Sequence, residues 1–172
     1  MLDPSIEILT TPRRDELDLL RIANGSGLSV SVLPSGAIFA IEHAEANRRI
    51  VINQTLALPI ANGMARLYLR TGGGRPIILP VIGPEAPLRV GSLGDRYVWE
   101  GEESGIRHRV TLWLHPHLNA WFWRVEVANN RGEELPSDAV LIQDLGLGDQ
   151  GFLMNNEAYA SQYLDQIGRA HV

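Results

Sequence analysis

Apolar and polar residues alternate with period two over much of this chain, and strand-forming residue types fill the alternating stretches. Leu28-Ser29-Val30-Ser31-Val32-Leu33 is the clearest example, the pattern of a strand with one face toward a core. Pro34-Ser35-Gly36 then supplies turn chemistry and Ala37-Ile38-Phe39-Ala40-Ile41 resumes the apolar run, so the two segments predict a β-hairpin. Residues 48–53 and 65–70 predict further strands, separated by a loop holding Pro59 and the turn pair Asn62-Gly63. Gly72-Gly73-Gly74 reads as a flexible linker between strands. Shorter strands at 76–80 and 88–90 are bounded by Gly83-Pro84 and Pro87, which confine them to edges or bends.

The strongest pair is 106–114 and 120–127, joined by His115-Pro116-His117-Leu118-Asn119. Along the second of these, Trp121, Trp123, Val125 and Val127 share one face, and Phe122, Arg124 and Glu126 share the other. A last strand is expected at 139–144. No window sustains a helical period, apart from a weak one after Asn156. Many short strands with frequent Gly and Pro turns predict an all-β fold, an antiparallel β-sandwich. With 172 residues, one compact domain is expected. Residues 1–18, polar and carrying Pro4 and Pro12, read as a lead-in segment, and residues 19–165 as the sandwich.

Composition narrows the partners. The net charge of −5 is spread over segments of mixed sign, without the basic stripe that would neutralise phosphates, so nucleic acid is not an expected partner. No stretch approaches the roughly 18–20 apolar residues that a membrane-spanning helix needs. Neither a basic n-region nor an apolar h-region opens the chain, so the expected address is cytoplasmic. Cysteine is absent, which removes disulfides, thiolate ligands and a thiol nucleophile. All 15 basic residues other than histidine are arginine, a bias that fits GC-rich bacterial codon usage better than a functional demand.

Several residues invite chemistry and each has a plainer reading. His115 and His117 could both point one way from their loop, but a third ligand is not evident nearby, so a polar turn is preferred to a metal site. Glu100, Glu102 and Glu103 cluster as glycosidase carboxylates sometimes do. Such a pair must flank a sugar from opposite sides, however, and an acidic run near a hairpin tip is commonly solvated. Trp99, Trp113, Trp121 and Trp123 could stack on sugar rings, yet their alternation with valine and leucine favours a place in the core. Asn53-Gln54-Thr55 fits a glycosylation acceptor by chance. Gly72-Gly73-Gly74 has no following lysine and is not a phosphate loop. No catalytic residue, cofactor or metal ligand is assigned.

The C-terminal residues break the pattern. Residues 167–172 reverse-translate as ATC-GGA-AGA-GCA-CAC-GTC, the opening of a common short-read sequencing adapter, and the glutamine codon CAG supplies the AG before it. The next adapter triplet is the stop codon TGA. Residues 166–172 are therefore expected to be translated adapter, with the natural chain continuing past Asp165.

Two blocks near that end, Leu141-Ile142-Gln143-Asp144-Leu145-Gly146-Leu147 and Asn156-Glu157-Ala158-Tyr159-Ala160-Ser161-Gln162-Tyr163-Leu164-Asp165, resemble the N-terminal domain of the 1,2-β-oligoglucan phosphorylases, in the glycoside hydrolase family that also holds cellobiose phosphorylase. Residues 61–70 (ANGMARLYLR) and 79–86 (LPVIGPEA) resemble upstream blocks of the same domain. The resemblance covers nearly all of 19–165. It implies a β-supersandwich of the galactose-mutarotase-like kind, here incomplete, followed in the whole protein by a helical linker and an (α/α)6 barrel that holds the catalytic aspartate. The implied activity is inverting phosphorolysis of β-1,2-glucooligosaccharides to α-glucose 1-phosphate, with glucan, inorganic phosphate and the barrel as partners. Asn156, Glu157, Tyr159, Gln162 and Tyr163, rich in hydrogen-bonding and aromatic groups, are the candidate substrate-binding residues, and a polar network at a strand-to-loop junction is the plainer reading of them. A non-enzymatic carbohydrate-binding module with exposed tryptophans, and the phosphorylase-like region of a cyclic β-1,2-glucan synthase, are the alternatives. Exposure of Trp121 or Trp123 would favour the binding module, and burial the phosphorylase.

Overall fold

The computed structural model describes residues 12, 18–53, 56–58, 60, 61, 63, 65–73, 75–86, 88–149, 151, 152 and 155. Its first half contributes strands β1 (Leu20–Ala23), β2 (Leu28–Val32), β3 (Ile38–Glu45), β4 (Arg48–Val51), β5 (Arg66–Thr71) and β6 (Ile77–Pro80). The second half contributes β7 (Leu88–Leu93), β8 (Arg96–Glu103), β9 (Ile106–Leu114), β10 (Trp121–Asn129), β11 (Ser137–Ile142) and β12 (Gly148–Asp149). They form three sheets, ordered β1-β2-β3-β4-β12, β10-β9-β8-β7 and β11-β5-β6, and every pairing is antiparallel. The fold is an all-β antiparallel sandwich, as the period-two pattern predicts.

The first hairpin and the pair 106–114 with 120–127 form as expected, and the short strands β6 and β7 lie at sheet edges. The sequence pattern did not reveal β1, whose residues are mostly exposed. Gly72 adopts φ +99 and, with Gly73, begins the connection between the paired strands β5 and β6, the place between strands where the glycine run was expected. The last long strand lies two residues earlier than its pattern suggested, at Ser137–Ile142. Beyond β12, Gly151, Phe152 and Asn155 take helical conformation, and the Asp149 carboxylate accepts from the Phe152 amide at 2.7 Å in the manner of an N-cap.

One core unites the sheets. Val30, Val32, Ile38 and Ile41 of the first sheet meet Leu67, Leu69 and Leu79 of the third and Trp99, Val110 and Leu112 of the second in a single buried cluster. Trp99 is the largest fully buried side chain, and its indole N–H donates to the Gly36 carbonyl at 2.9 Å. That bond ties β8 to the turn between β2 and β3. Gly36 has φ +82, and a Cβ there would lie 3.0 Å from both the Trp99 indole nitrogen and Val90. Only glycine combines that backbone with that approach.

A polar clasp fixes the other end of the hairpins. The Asn24 amide nitrogen donates to the carbonyls of His115 (2.6 Å) and Leu118 (2.9 Å), while its oxygen accepts from the amides of Ser26 (3.1 Å) and Leu28 (2.9 Å). The Gly25 amide adds a bond to the Pro116 carbonyl at 3.2 Å. One asparagine thus shapes its own turn and joins the β1–β2 connection to the β9–β10 loop.

From β10 onward the chain visits all three sheets in succession. It leaves the second sheet at Asn129, adds β11 to the exposed side of β5 in the third, and then adds β12 to β4 in the first. All six residues of β11 are exposed.

Candidate functional site

The acidic run separates into different roles. Glu100 is buried on the outer face of the second sheet, where its carboxylate pairs with the guanidinium of Arg109, its cross-strand partner on β9. Glu102 and Glu103 are exposed at the hairpin end. Solvation was the expectation for the whole run, and it fails for Glu100 because a buried arginine lies directly opposite. Strand alternation puts Glu103 on the opposite face from Glu100 and Glu102, so the three do not form one acidic site.

The tryptophans divide by face as well. Trp99 is buried, and Trp121 and Trp123 pack partly buried against the core, with Trp123 at 5.9 Å from Trp99 between ring centroids. Trp113 points the other way. It pairs with Phe122 across β9 and β10, and the two rings stack at 5.3 Å with 22° between planes. The sequence put Phe122 on the outer face but treated all four tryptophans together. The signal that separates them is parity: Val110, Leu112 and Leu114 take the inner positions of β9, which leaves 113 outside.

His115 and His117 are held by their own loop, since the His117 amide donates to His115 Nδ1 at 3.1 Å. Among the described residues no group of three or more His, Cys, Asp or Glu could hold a metal ion. Asn53 is buried in the strand framework, its side-chain oxygen accepting from the Ile41 amide at 2.8 Å and its nitrogen donating to the Phe39 carbonyl at 3.2 Å.

Two shallow cavities accompany these features. One, of about 330 Å³, is lined by Arg70, Gly72, Pro76, Pro136, Ser137 and Asp138 at the end of the third sheet. Its charges are satisfied internally: Arg70 grips Asp138 through two donors and holds that carboxyl below its usual range. The other, of about 230 Å³, lies beside Arg48, Arg49, Leu147 and Asp149. Leu147, in the block first noted for its resemblance, has φ +47, and its amide and that of Gly146 both point to the Ile52 carbonyl at 3.4 and 2.7 Å. Neither cavity brings a nucleophile and a base together. Asn156, Glu157, Tyr159, Gln162 and Tyr163, the substrate-binding candidates, lie outside the described residues.

The buried interior holds further titratable groups, Tyr97 and His108 among them. His108 on β9 faces the core, and among the described residues neither ring nitrogen meets a hydrogen-bond partner. Burial pushes its pKa down to about 4, opposed by the charge of Glu100.

Fold and surfaces together define the class: an antiparallel β-sandwich domain with one shared core and an aromatic outer edge. No described helix is long and apolar enough to cross a membrane. Residues 31–168 match the family model described as the SOGP N-terminal domain, and the chain belongs to that family. Over 150 residues it is 31% identical to a 1,2-beta-oligoglucan phosphorylase of Listeria innocua serovar 6a, an alignment that covers 87% of this chain and 13% of that protein. The chain therefore corresponds to a small part of its much longer relative.

Proposed function

We propose that this chain is the N-terminal scaffold and carbohydrate-contacting domain of an inverting glycoside phosphorylase acting on β-1,2-glucooligosaccharides. The observation that carries the reading is the family match over residues 31–168, taken with the name of the Listeria innocua relative. In the whole protein an oxygen of inorganic phosphate attacks the anomeric carbon of the terminal glucose from the face opposite the leaving group. The bond from that carbon to the interglycosidic oxygen breaks, and a carboxyl of the following (α/α)6 barrel gives its proton to the leaving oxygen. The products are α-glucose 1-phosphate and a glucan one unit shorter.

A single displacement needs one acid and one positioned nucleophile, so the barrel can supply the chemistry while a rigid sandwich fixes the wall of the pocket. No residue of this chain takes a catalytic role in that scheme, and the reaction needs no cofactor. The barrel and further strands are the domain's partners in the longer protein. β11, exposed along its length, is the edge offered to them. Asn156, Glu157, Tyr159, Gln162 and Tyr163 supply contacts to sugar or to the neighbouring domain. On this reading residues 1–18 are a lead-in and residues 19–165 the sandwich.

The test is to recover the longer reading frame from the source DNA, express its product and assay α-glucose 1-phosphate release from a linear β-1,2-glucan. Phosphate-dependent release supports the reading. A product that binds the glucan yet yields no sugar phosphate refutes it in favour of a binding module.

A further inference from the structure

The outer face of the second sheet changes character toward β10. At its centre Val98, Glu100, Arg109 and Thr111 are buried, whereas at the β10 edge Phe122 is 41% exposed. Trp113 stacks against Phe122, and the His115 ring lies 6.4 Å from it. Arg124 and Glu126, two and four residues along the same face of β10, form an ion pair at 2.9 Å. Across from Trp113 on β8 stands Arg96, paired with Asp95 at 3.1 Å.

Because β10 is an edge strand, no strand among the described residues lies beyond Phe122 on that side. Stacking on Trp113 orients the Phe122 ring before any ligand arrives, which lowers the entropy cost of using it as a contact. The neighbouring charges decide what kind of contact it suits. A purely apolar partner would bury the Arg124–Glu126 and Arg96–Asp95 pairs without satisfying their remaining donors and acceptors. A pyranose ring meets both demands. Its C–H face packs on an aromatic ring, and its equatorial hydroxyls accept from guanidinium groups and donate to carboxylates.

The geometry points to Phe122, backed by Trp113 and flanked by Arg124 and Glu126, as a contact surface for a β-linked glucan. The surface lies on β10 and is separate in sequence from the block at 156–163. It deepens the phosphorylase reading, and rests on that reading for the glucose character of the ligand.

Affinity electrophoresis of the chain through gels containing a linear β-1,2-glucan tests the surface, with thermal melts to confirm that each variant is folded. The glucan retards the wild-type chain. Phe122→Ala weakens the interaction about tenfold, the scale of a lost aromatic contact. Arg124→Ala, a change at a side chain 65% exposed, also weakens it and serves as the readout if Phe122→Ala unfolds. Ile78→Ala, on an exposed part of the third sheet, leaves retardation unchanged and controls for non-specific adhesion. Absence of wild-type retardation, or migration of both β10 variants with the wild type, overturns the proposal. Phosphorolysis by the longer protein reports on the other reading separately: sugar phosphate release beside a chain that ignores glucan sinks the surface alone, and glucan retention without release sinks the phosphorylase alone.

Discussion

Lowering the pH from 7 to 5 tests the burial of His108 directly. In the unfolded chain its imidazole has the ordinary pKa near 6.5 and takes up a proton as the pH falls. In the folded chain burial holds the pKa down to about 4, so the ring stays neutral to much lower pH. Between those values the unfolded state binds more protons than the native state, and stability falls as pH falls. The two pKa values give a loss of about 2 kcal/mol at pH 5 relative to pH 7, growing to about 3 kcal/mol below pH 4. His108→Leu keeps an apolar side chain of similar size in the site and removes the titration. Urea unfolding at pH 7 and pH 5, performed on wild type and variant, isolates the effect from the carboxylates they share. The wild type should lose about 2 kcal/mol more than the variant over that interval. Equal losses in the two proteins, or an NMR titration of His108 near pH 6.5 in the folded chain, would refute the argument.

Three other perturbations follow from the same structure. Asn24→Ala removes the clasp between the β1–β2 turn and the β9–β10 loop and should cost about 2 kcal/mol in chemical denaturation, with early hydrogen exchange at the Leu28 amide; unchanged protection there would count against the clasp. Glu100→Ala takes from buried Arg109 its carboxylate partner and should cost about 3 kcal/mol, while the double change Glu100→Leu with Arg109→Met should recover most of it; a double mutant no better than the single would contradict the ion-pair account. Gly27→Ala combines φ +88 with a Cβ only 2.2 Å from the Ala44 carbonyl oxygen, so a loss of about 2 kcal/mol or more is expected, and a melting temperature within a degree or so of wild type would show that the hairpin yields.

How far the sequence revealed this molecule depended on distance along the chain. Hairpins between neighbouring strands were legible because alternation and turn residues are local signals: Leu28 to Ile41 and Ile106 to Val127 needed nothing else. The inward face of Trp121 and Trp123 followed from parity. The pairing of β11 with β5 did not, since no local pattern says which earlier strand a returning strand will choose. The buried role of Glu100 was hidden for the same reason. A carboxylate beside Glu102 and Glu103 looks solvated until register puts Arg109 opposite it. The Phe122–Trp113 stack also required register, because the two residues approach across a hairpin and each looks ordinary in its own strand. β1 escaped notice because four residues, of which only Ile22 is buried, are too short a stretch to display a period.

The route of the chain through the three sheets has a consequence for its synthesis. β7 to β10 pair in sequence order, so the second sheet can assemble as each hairpin leaves the ribosome. The other two sheets each wait for one late strand, β11 or β12. Arg70 and Asp138, partners across β5 and β11, are 68 residues apart, which at roughly 5–20 residues per second means several seconds of translation with the far side of β5 unpaired. β4 waits longer still for β12. The β5 and β4 edges therefore stay unpaired until one short stretch, Ser137 to Asp149, emerges and covers both. Vectorial synthesis makes that stretch the one that ties β5 and β4 to their late partners.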